Sequence, residues 1–417
     1  MKSPRSVAVL VGFLMAGAAP AIHAAGYAIY EHGARAMAMG GAFTAIAEGP
    51  YAIFYNPAGI VWNEGTEIGF GTTFIKPSSS FTSAAGAETD QVERTFFPTH
   101  IYMTKDIGEK AALGIGFFSP FGLAAEWPSS WTGKYRTVKA ELETYYLNPT
   151  LAYELTPKLS VAGGVDVIIS TAALGQKISA GGGPFGSQGD VTMDLTGDGT
   201  AVSFNAGMLY KPSDKVSIGV SYRHGANLEL DGLADFTADG MLSYAFPDGR
   251  ATTEIHVPYL MAAGVAFKPF DRTRIAVDVD FHGWSGAEQI TITYDNAIGD
   301  PSHQTKESTL VQNYENSVVL RIGLEQQIGD SMYLRGGYVY DQTPVQDAYL
   351  SPSLPDANRN DFTAGFGIAL KKLNLDFAYM AVLNEDRESE NQDLPELLGG
   401  SYETVAHLFS VSLGYRF

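Results

Sequence analysis

The sequence predicts an all-β protein: an antiparallel transmembrane β-barrel of about 14 strands with an N-terminal hatch, or plug, inside its lumen. Three features carry this reading. Apolar and polar side chains alternate strictly in many segments of about ten residues, short turns alternate with long Gly-rich connections, and a leader-like start is followed by an Ala- and Gly-rich stretch without strand pattern.

Successive strand side chains point to opposite faces, so a sheet with one greasy side alternates residue by residue. In 216–223 one face is Val216, Ile218, Val220 and Tyr222, and the other is Ser217, Gly219, Ser221 and Arg223. In 275–282, Ile275, Val277, Val279 and Phe281 oppose Ala276, Asp278, Asp280 and His282, a face that needs water or partners. Phe362 to Leu370 and Leu373 to Tyr379 repeat the pattern. The chain closes on Phe409, Val411, Leu413, Tyr415 and Phe417 alternating with Ser410, Ser412, Gly414 and Arg416. An aromatic carboxyl-terminal residue is common in bacterial outer-membrane barrels.

Short links fall at 106–110, 156–158, 212–215, 269–273, 329–331 and 371–372, with Pro, Gly, Asp and Lys supplying turn chemistry. A membrane barrel has short turns on its periplasmic side and longer loops outside, and counting strands on this scheme from Thr66 to Phe417 gives about 14. An even number returns both ends of the barrel to the periplasm. Tilted strands of this length cross the hydrocarbon core, and closure satisfies every backbone N–H and C=O where water is absent. A soluble β-sandwich is the alternative, because alternation alone does not show which face is outward.

Composition narrows the classes further. No apolar run after the leader is long enough for a membrane-crossing helix. The 46 Gly, 22 Tyr and 23 Phe suit tight turns and aromatic girdles. A net charge of −19 argues against nucleic acid as a partner. The chain has no Cys, which removes disulfides, thiolate metal sites and cysteine nucleophiles. No cofactor and no metal site is expected. Asp190, Asp194 and Asp198 lack the alternate-residue spacing of a calcium loop, and Gly283-Trp284-Ser285-Gly286 lacks the full nucleophile-elbow spacing.

The start reads as a secretory signal peptide over 1–24: Lys2 and Arg5, an apolar run from Val7 to about Ala19, then small residues at Ala21, Ala24 and Ala25. Residues 25–63 follow, punctuated by Gly26, Gly33, Gly40, Gly41, Gly49 and Gly59, as a compact element able to fold back into the lumen of the 64–417 barrel.

Several stretches resemble FadL-type outer-membrane transporters of long-chain fatty acids and other hydrophobic compounds. Ala25-Gly26-Tyr27-Ala28-Ile29-Tyr30-Glu31, Met39-Gly40-Gly41-Ala42-Phe43-Thr44-Ala45 and Asn56-Pro57-Ala58-Gly59 are similar to that family's hatch. Ser119-Pro120-Phe121-Gly122-Leu123 with Trp131 and Tyr135, then Leu147 to Tyr153, resemble its third external loop and the strand that follows. Leu334 to Tyr338, Asp341 to Val345 and Leu354 to Arg359 continue the match over nearly the whole mature chain.

The resemblance implies a barrel in the outer membrane of a Gram-negative bacterium, plugged by the hatch. Hydrophobic substrate is captured among outer loops, passed to a lumenal site, and released after hatch movement, with lateral exit through a strand kink as the family's proposed route. It places Asn56, Pro57, Ala58 and Gly59 at the gate, and Ala25, Gly26, Tyr27 and Ile29 near substrate. Phe117, Phe118, Phe121, Leu123, Trp127 and Trp131 cluster around one long connection and are the candidate capture surface, with an interfacial girdle as the plain alternative. The family's cation beside the aromatic at Tyr314 is replaced here by Glu315, which favours a neutral hydrocarbon; Lys177 or Arg335 are the candidates to bind a headgroup instead. The expected partners are a hydrophobic small molecule and outer-membrane lipid, with the protein a monomer and not an enzyme. A general porin and a barrel lipid hydrolase are the competing readings.

Overall fold

A computed structural model describes residues 26–179, 189–240, 242–299, 303–390 and 399–417. The leader 1–24 and Ala25 lie outside the described residues. The wall is built from β1 (Thr66–Ser83), β2 (Thr99–Asp106), β3 (Ala111–Phe118), β4 (Lys139–Thr156), β5 (Leu159–Ser179), β6 (Asp190–Ser213) and β7 (Val216–Arg223). It continues through β8 (Tyr259–Phe270), β9 (Thr273–Gly283), β10 (Ser317–Ile328), β11 (Met332–Asp341), β12 (Arg359–Ala369), β13 (Leu373–Asn384) and β14 (Gly400–Arg416). Each strand pairs antiparallel with its neighbour in this order, and β14 pairs with β1 from Glu67↔Arg416 to Ser83↔Gly400, which closes a 14-stranded barrel.

The alternation resolves into two environments. Ile275, Val277 and Val279 of β9 stand outward and exposed, while Asp278, Asp280 and His282 point into the lumen and are buried. The same holds for Leu147 and Leu151 against Asn148 and Thr150 in β4, and for Ile218 and Val220 in β7. Apolar side chains outside and polar ones inside is the arrangement of a barrel in lipid, the reverse of a soluble sandwich. The predicted short turns link β2 to β3, β4 to β5, β6 to β7, β8 to β9, β10 to β11 and β12 to β13 at one end, where Thr66 and Phe417 also lie, joined by Phe417 N–H donating to Thr66 O at 3.0 Å.

β5 and β6 span 21 and 24 residues, about twice what the bilayer requires, so their upper halves rise above it. There the sheet continues through Ala226–Thr237, Gly249–Val257, Gln289–Ile298 and Thr305–Val311. Its inner face carries a separate apolar core that includes Val191, Met193, Leu195, Phe246, Ile292 and Tyr294.

Residues 26–63 sit within the cylinder. They form short helices at Ala34–Met37 and Ala52–Tyr55 and a 3-10 turn at Pro57–Trp62, touching β3, β4, β5, β6, β12, β13 and β14. The wall admits them where it has no side chain: a Cβ on Gly219 would stand 2.1 Å from the Thr44 carbonyl oxygen, and one on Gly207 would stand 2.3 Å from Asn56 Oδ1. Asn56 fixes this contact by donating from Nδ2 to Thr44 O at 2.9 Å and Met208 O at 3.0 Å, while its Oδ1 accepts from Ala58 N–H.

Candidate functional site

The first described residues run as an extra strand against the segment after β3. Ile29 N–H donates to Pro120 O at 2.8 Å and Gly122 N–H to Tyr27 O at 2.9 Å, around an Ala28↔Phe121 bridge. Pro120 has no N–H to give, so the pairing stays this short. The Tyr27 ring meets Trp284 edge to face at 4.6 Å and Phe121 at 6.3 Å, and its hydroxyl donates to His256 O at 2.5 Å. Gly26 N–H donates to the Asp356 carboxylate at 3.1 Å, and Thr343 bonds the same oxygen. Burial pushes the Asp356 carboxyl up to about 6, against the Thr343 hydroxyl, Arg359 and Gly26 N–H, which pull it down.

Tyr27 and Leu123 each line two cavities. The outer one, about 150 Å³, is walled largely by apolar side chains such as Leu142, Leu174, Leu230, Ile255 and Ile290. The second, about 470 Å³, is lined both by lumenal residues (Val382, Ala406, Leu408) and by lipid-facing ones (Phe97, Phe117, Tyr145). A cavity with both kinds of lining passes through the wall. The ladder explains why: β1 and β2 pair only up to Thr72↔Thr99, with one further bridge at Ile75↔Phe96. β3 ends at Phe118, whereas β1 and β4 continue above it. Pro98 and Pro120 interrupt the two strands there, and the chain after Pro120 rejoins β4 through Gly122–Glu126, which leaves the gap on the side of β1.

Below the N-terminal segment the lumen is ionic. Arg35 meets Glu325 and Glu48 at 2.9 Å, Arg274 meets Glu48 at 2.8 Å, and Arg335 meets Glu325 at 2.8 Å and Asp376 at 2.6 Å. These groups border a polar cavity of about 360 Å³ that also touches the periplasmic turn residues Asp271 and Arg272. Burial alone would raise the Glu48 carboxyl, but Arg274 and Arg35 outweigh it and hold it well below the usual carboxylate range. Higher up, Arg321 binds Asp280 at 2.6 Å and lies over the Tyr30 ring at 4.2 Å, and Asp278 accepts from Thr44 N–H at 2.8 Å.

The six residues expected to form a capture surface do not share one face. Phe117 points to lipid, stacked on Tyr145 at 5.8 Å, and borders the wall cavity. Phe118 and Phe121 are buried in the lumen, Phe118 among Tyr102, Phe54 and His32. Trp127 and Trp131 stack on each other at 4.4 Å, with their indole N–H groups donating to Pro352 O and Thr137 O, as a buried brace. Only Leu123 reaches the outer cavity. The two headgroup candidates lie elsewhere: Lys177 bonds Thr192 Oγ1 at 2.5 Å, and Arg335 belongs to the periplasmic ion cluster. Sequence reasoning gave no site role to Trp284, His256 and Asp356, which meet Tyr27 or Gly26 from segments far away in the chain.

The sequence model of the outer membrane protein transport protein family (OMPP1/FadL/TodX) matches residues 15–417. The chain belongs to this family. A long-chain fatty acid transport protein of Shigella flexneri is 23% identical over 367 residues, covering 79% of this chain and 80% of that protein. The crystal structure of a Pseudomonas aeruginosa FadL homologue superposes with a TM-score of 0.81 at 20% identity, covering 94% of this chain and 99% of that one. The Ralstonia pickettii toluene transporter TbuX superposes with a TM-score of 0.69 at 20% identity, covering 93% of this chain and 100% of that one. The FadL/TodX family and the lipid-facing barrel together make this an outer-membrane channel for hydrophobic compounds.

Proposed function

We propose that the channel takes long-chain amphiphiles or hydrocarbons from outside, holds them in the outer apolar cavity, and releases them sideways through the wall cavity when the N-terminal strand moves. The division into leader 1–24, hatch 25–63 and barrel 64–417 is part of this reading. One observation carries it: Tyr27 stands between two cavities, one facing outward and one open to lipid. Displacing residues 26–29 from Pro120 and Gly122 joins them. The strand is held by two backbone hydrogen bonds, the Tyr27 hydroxyl on His256 O, the Gly26–Asp356 bond and ring contacts, and an apolar ligand can take over the ring contacts. Asn56 to Gly59 stay with the wall as the fixed base of the hatch, through Met208 and Thr44. Release downward is disfavoured, since an apolar chain would have to displace the ion cluster around Glu325.

Ala124 lines the wall cavity and not the outer one, so Ala124→Trp fills the exit alone. Uptake of radiolabelled oleate by cells carrying that variant is expected to fall to the level of cells without the protein, while oleate binding to the purified protein persists. Unchanged uptake by the folded variant overturns lateral release. Large ionic conductance of the unmodified protein in planar bilayers would instead favour a general porin.

A further inference from the structure

The wall of the outer cavity carries a bare belt at one level. Cross-strand partners run Leu142–Ala172–Gly197–Gly232–Ala251–Tyr294, from β4 through β5, β6 and the strands Ala226–Thr237, Gly249–Val257 and Gln289–Ile298. Partners at one level share a face of the sheet, so between Leu142 and Tyr294 four adjacent strands present nothing larger than a methyl group. Ala172, Gly197 and Ala251 line the cavity, so the space before them belongs to it. Leu174 and Leu195, paired with each other, roof the belt, and Leu230 and Ile292 lie one level below it. The result is a flat shelf about 14 Å long, three strand spacings of roughly 4.8 Å.

The two glycines answer different needs. A Cβ on Gly232 would collide with the Thr196 carbonyl oxygen, so the close approach of the strands demands glycine there. A Cβ on Gly197 would meet Asp231 O at 3.4 Å and Leu230 Cβ at 3.5 Å, ordinary van der Waals contact, and its φ lies outside the left-handed region. The fold therefore tolerates a side chain at 197, and the room that side chain would take is cavity. The same cavity is lined by Tyr27, Tyr314 and Arg136, whose Nε is buried without a hydrogen-bond partner. Phenol rings and a planar guanidinium both pack on aromatic faces. A flexible chain gains nothing from a flat shelf and loses rotational freedom on it, whereas a rigid plane touches it over its whole area without that cost.

We infer that the shelf fits the outer cavity to a planar apolar substrate of two or more fused rings, and that Gly197 sets the width it admits. This rests on the proposed uptake function and names the substrate class of that site. It also narrows the neutral-hydrocarbon expectation drawn from Glu315 to rigid, multi-ring compounds.

The test compares phenanthrene with bibenzyl, which have the same number of carbons and differ in planarity and rigidity, in equilibrium binding to the full protein held in amphipol, with protein-free amphipol as the partition blank. The unmodified protein is expected to bind phenanthrene about tenfold or more tightly, the scale of three rotatable bonds that need no ordering. Gly197→Leu is expected to weaken phenanthrene about tenfold or more while bibenzyl and oleate stay within about threefold. Gly197→Ala, whose methyl meets only ordinary contacts, is expected to show part of that loss. Equal affinity for phenanthrene and bibenzyl in the unmodified protein, a measurement that needs no variant, overturns the inference. So does an equal loss of all three ligands in both variants, which would make residue 197 a point of entry and not a measure of width. Binding of none of the three, oleate included, is a different failure: it overturns the uptake reading itself.

Discussion

At its outer end the lumen is closed by rings: Tyr27, Trp284, Phe121 and Tyr314 meet mostly edge to face, at centroid distances of 4.6 to 6.4 Å. At its periplasmic end it is closed by charges, with Arg35, Arg274 and Arg335 interleaved among Glu48, Glu325 and Asp376. An apolar solute can take the place of a ring at small net change, because one dispersion contact replaces another. It cannot take the place of the Glu325 carboxylate, because the guanidinium groups of Arg35, Arg274 and Arg335 would each lose a partner it cannot supply. The same N-terminal segment is thus attached loosely where substrate arrives and firmly where the periplasm begins. That asymmetry points an apolar solute to the wall gap between the two closures.

Removing the segment abolishes both closures at once and changes the channel most. Deletion of 25–60 is expected to leave a barrel that still assembles, since the 14 strands close on one another without it. It should convert a channel of very low conductance into one with large, open ionic currents in planar bilayers. Failure of the truncated chain to assemble would make the segment a structural core rather than a gate.

Breaking only the charged closure comes next. Glu325 meets Arg35, Arg274 and Arg335, so Glu325→Gln leaves three cations competing for Glu48 and Asp376. A loss of about 3–5 kcal/mol is expected, the usual size for removing one partner of a buried ion cluster. Heat-induced mobility shifts in detergent should show it as a lowered transition. Conductance should also rise in bursts as the segment detaches below while its outer contacts hold. A variant as stable and as closed as the parent would mean that the ion cluster does not anchor the segment.

The barrel could be read from the chain because its rule is local. Alternation along β9 or β14 and the Pro-, Gly- and Lys-bearing turns each need only a few consecutive residues, and a closed sheet repeats them all round. The path for substrate could not be read in the same way. Tyr27 is paired with Gly122, Ile29 with Pro120, and the segment is sealed by Trp284 and tethered near Asp356, contacts that no short window contains. The capture set shows the limit most plainly. Phe117 to Trp131 look like one greasy patch in sequence, but β3 alternates Phe117 outward and Phe118 inward, and the chain breaks at Pro120 and turns at Pro128.

The two closures also respond to pH with opposite sign, a smaller effect than either of these. Glu48, held below the ordinary carboxylate range by Arg274 and Arg35, contributes stability that is present above about pH 4.5 and lost as the pH falls further. Asp356 works the other way. Its carboxyl, pushed up to about 6 by burial, holds its proton longer in the folded protein than in the unfolded chain. Its contribution is therefore greatest below about pH 4 and declines as the pH rises to about 6, flat beyond. Asp356→Asn removes this dependence while keeping an oxygen to accept from Gly26 N–H. Measured as the difference between parent and variant in heat-induced mobility shift, the parent should lose on the order of 2 kcal/mol relative to the variant between pH 4 and pH 7. A parallel pH profile for the two proteins would mean that Asp356 stays ionised throughout. Its bond to Gly26 would then be as firm at acid pH as at neutral, and the outer closure would be held by charge as well as by rings.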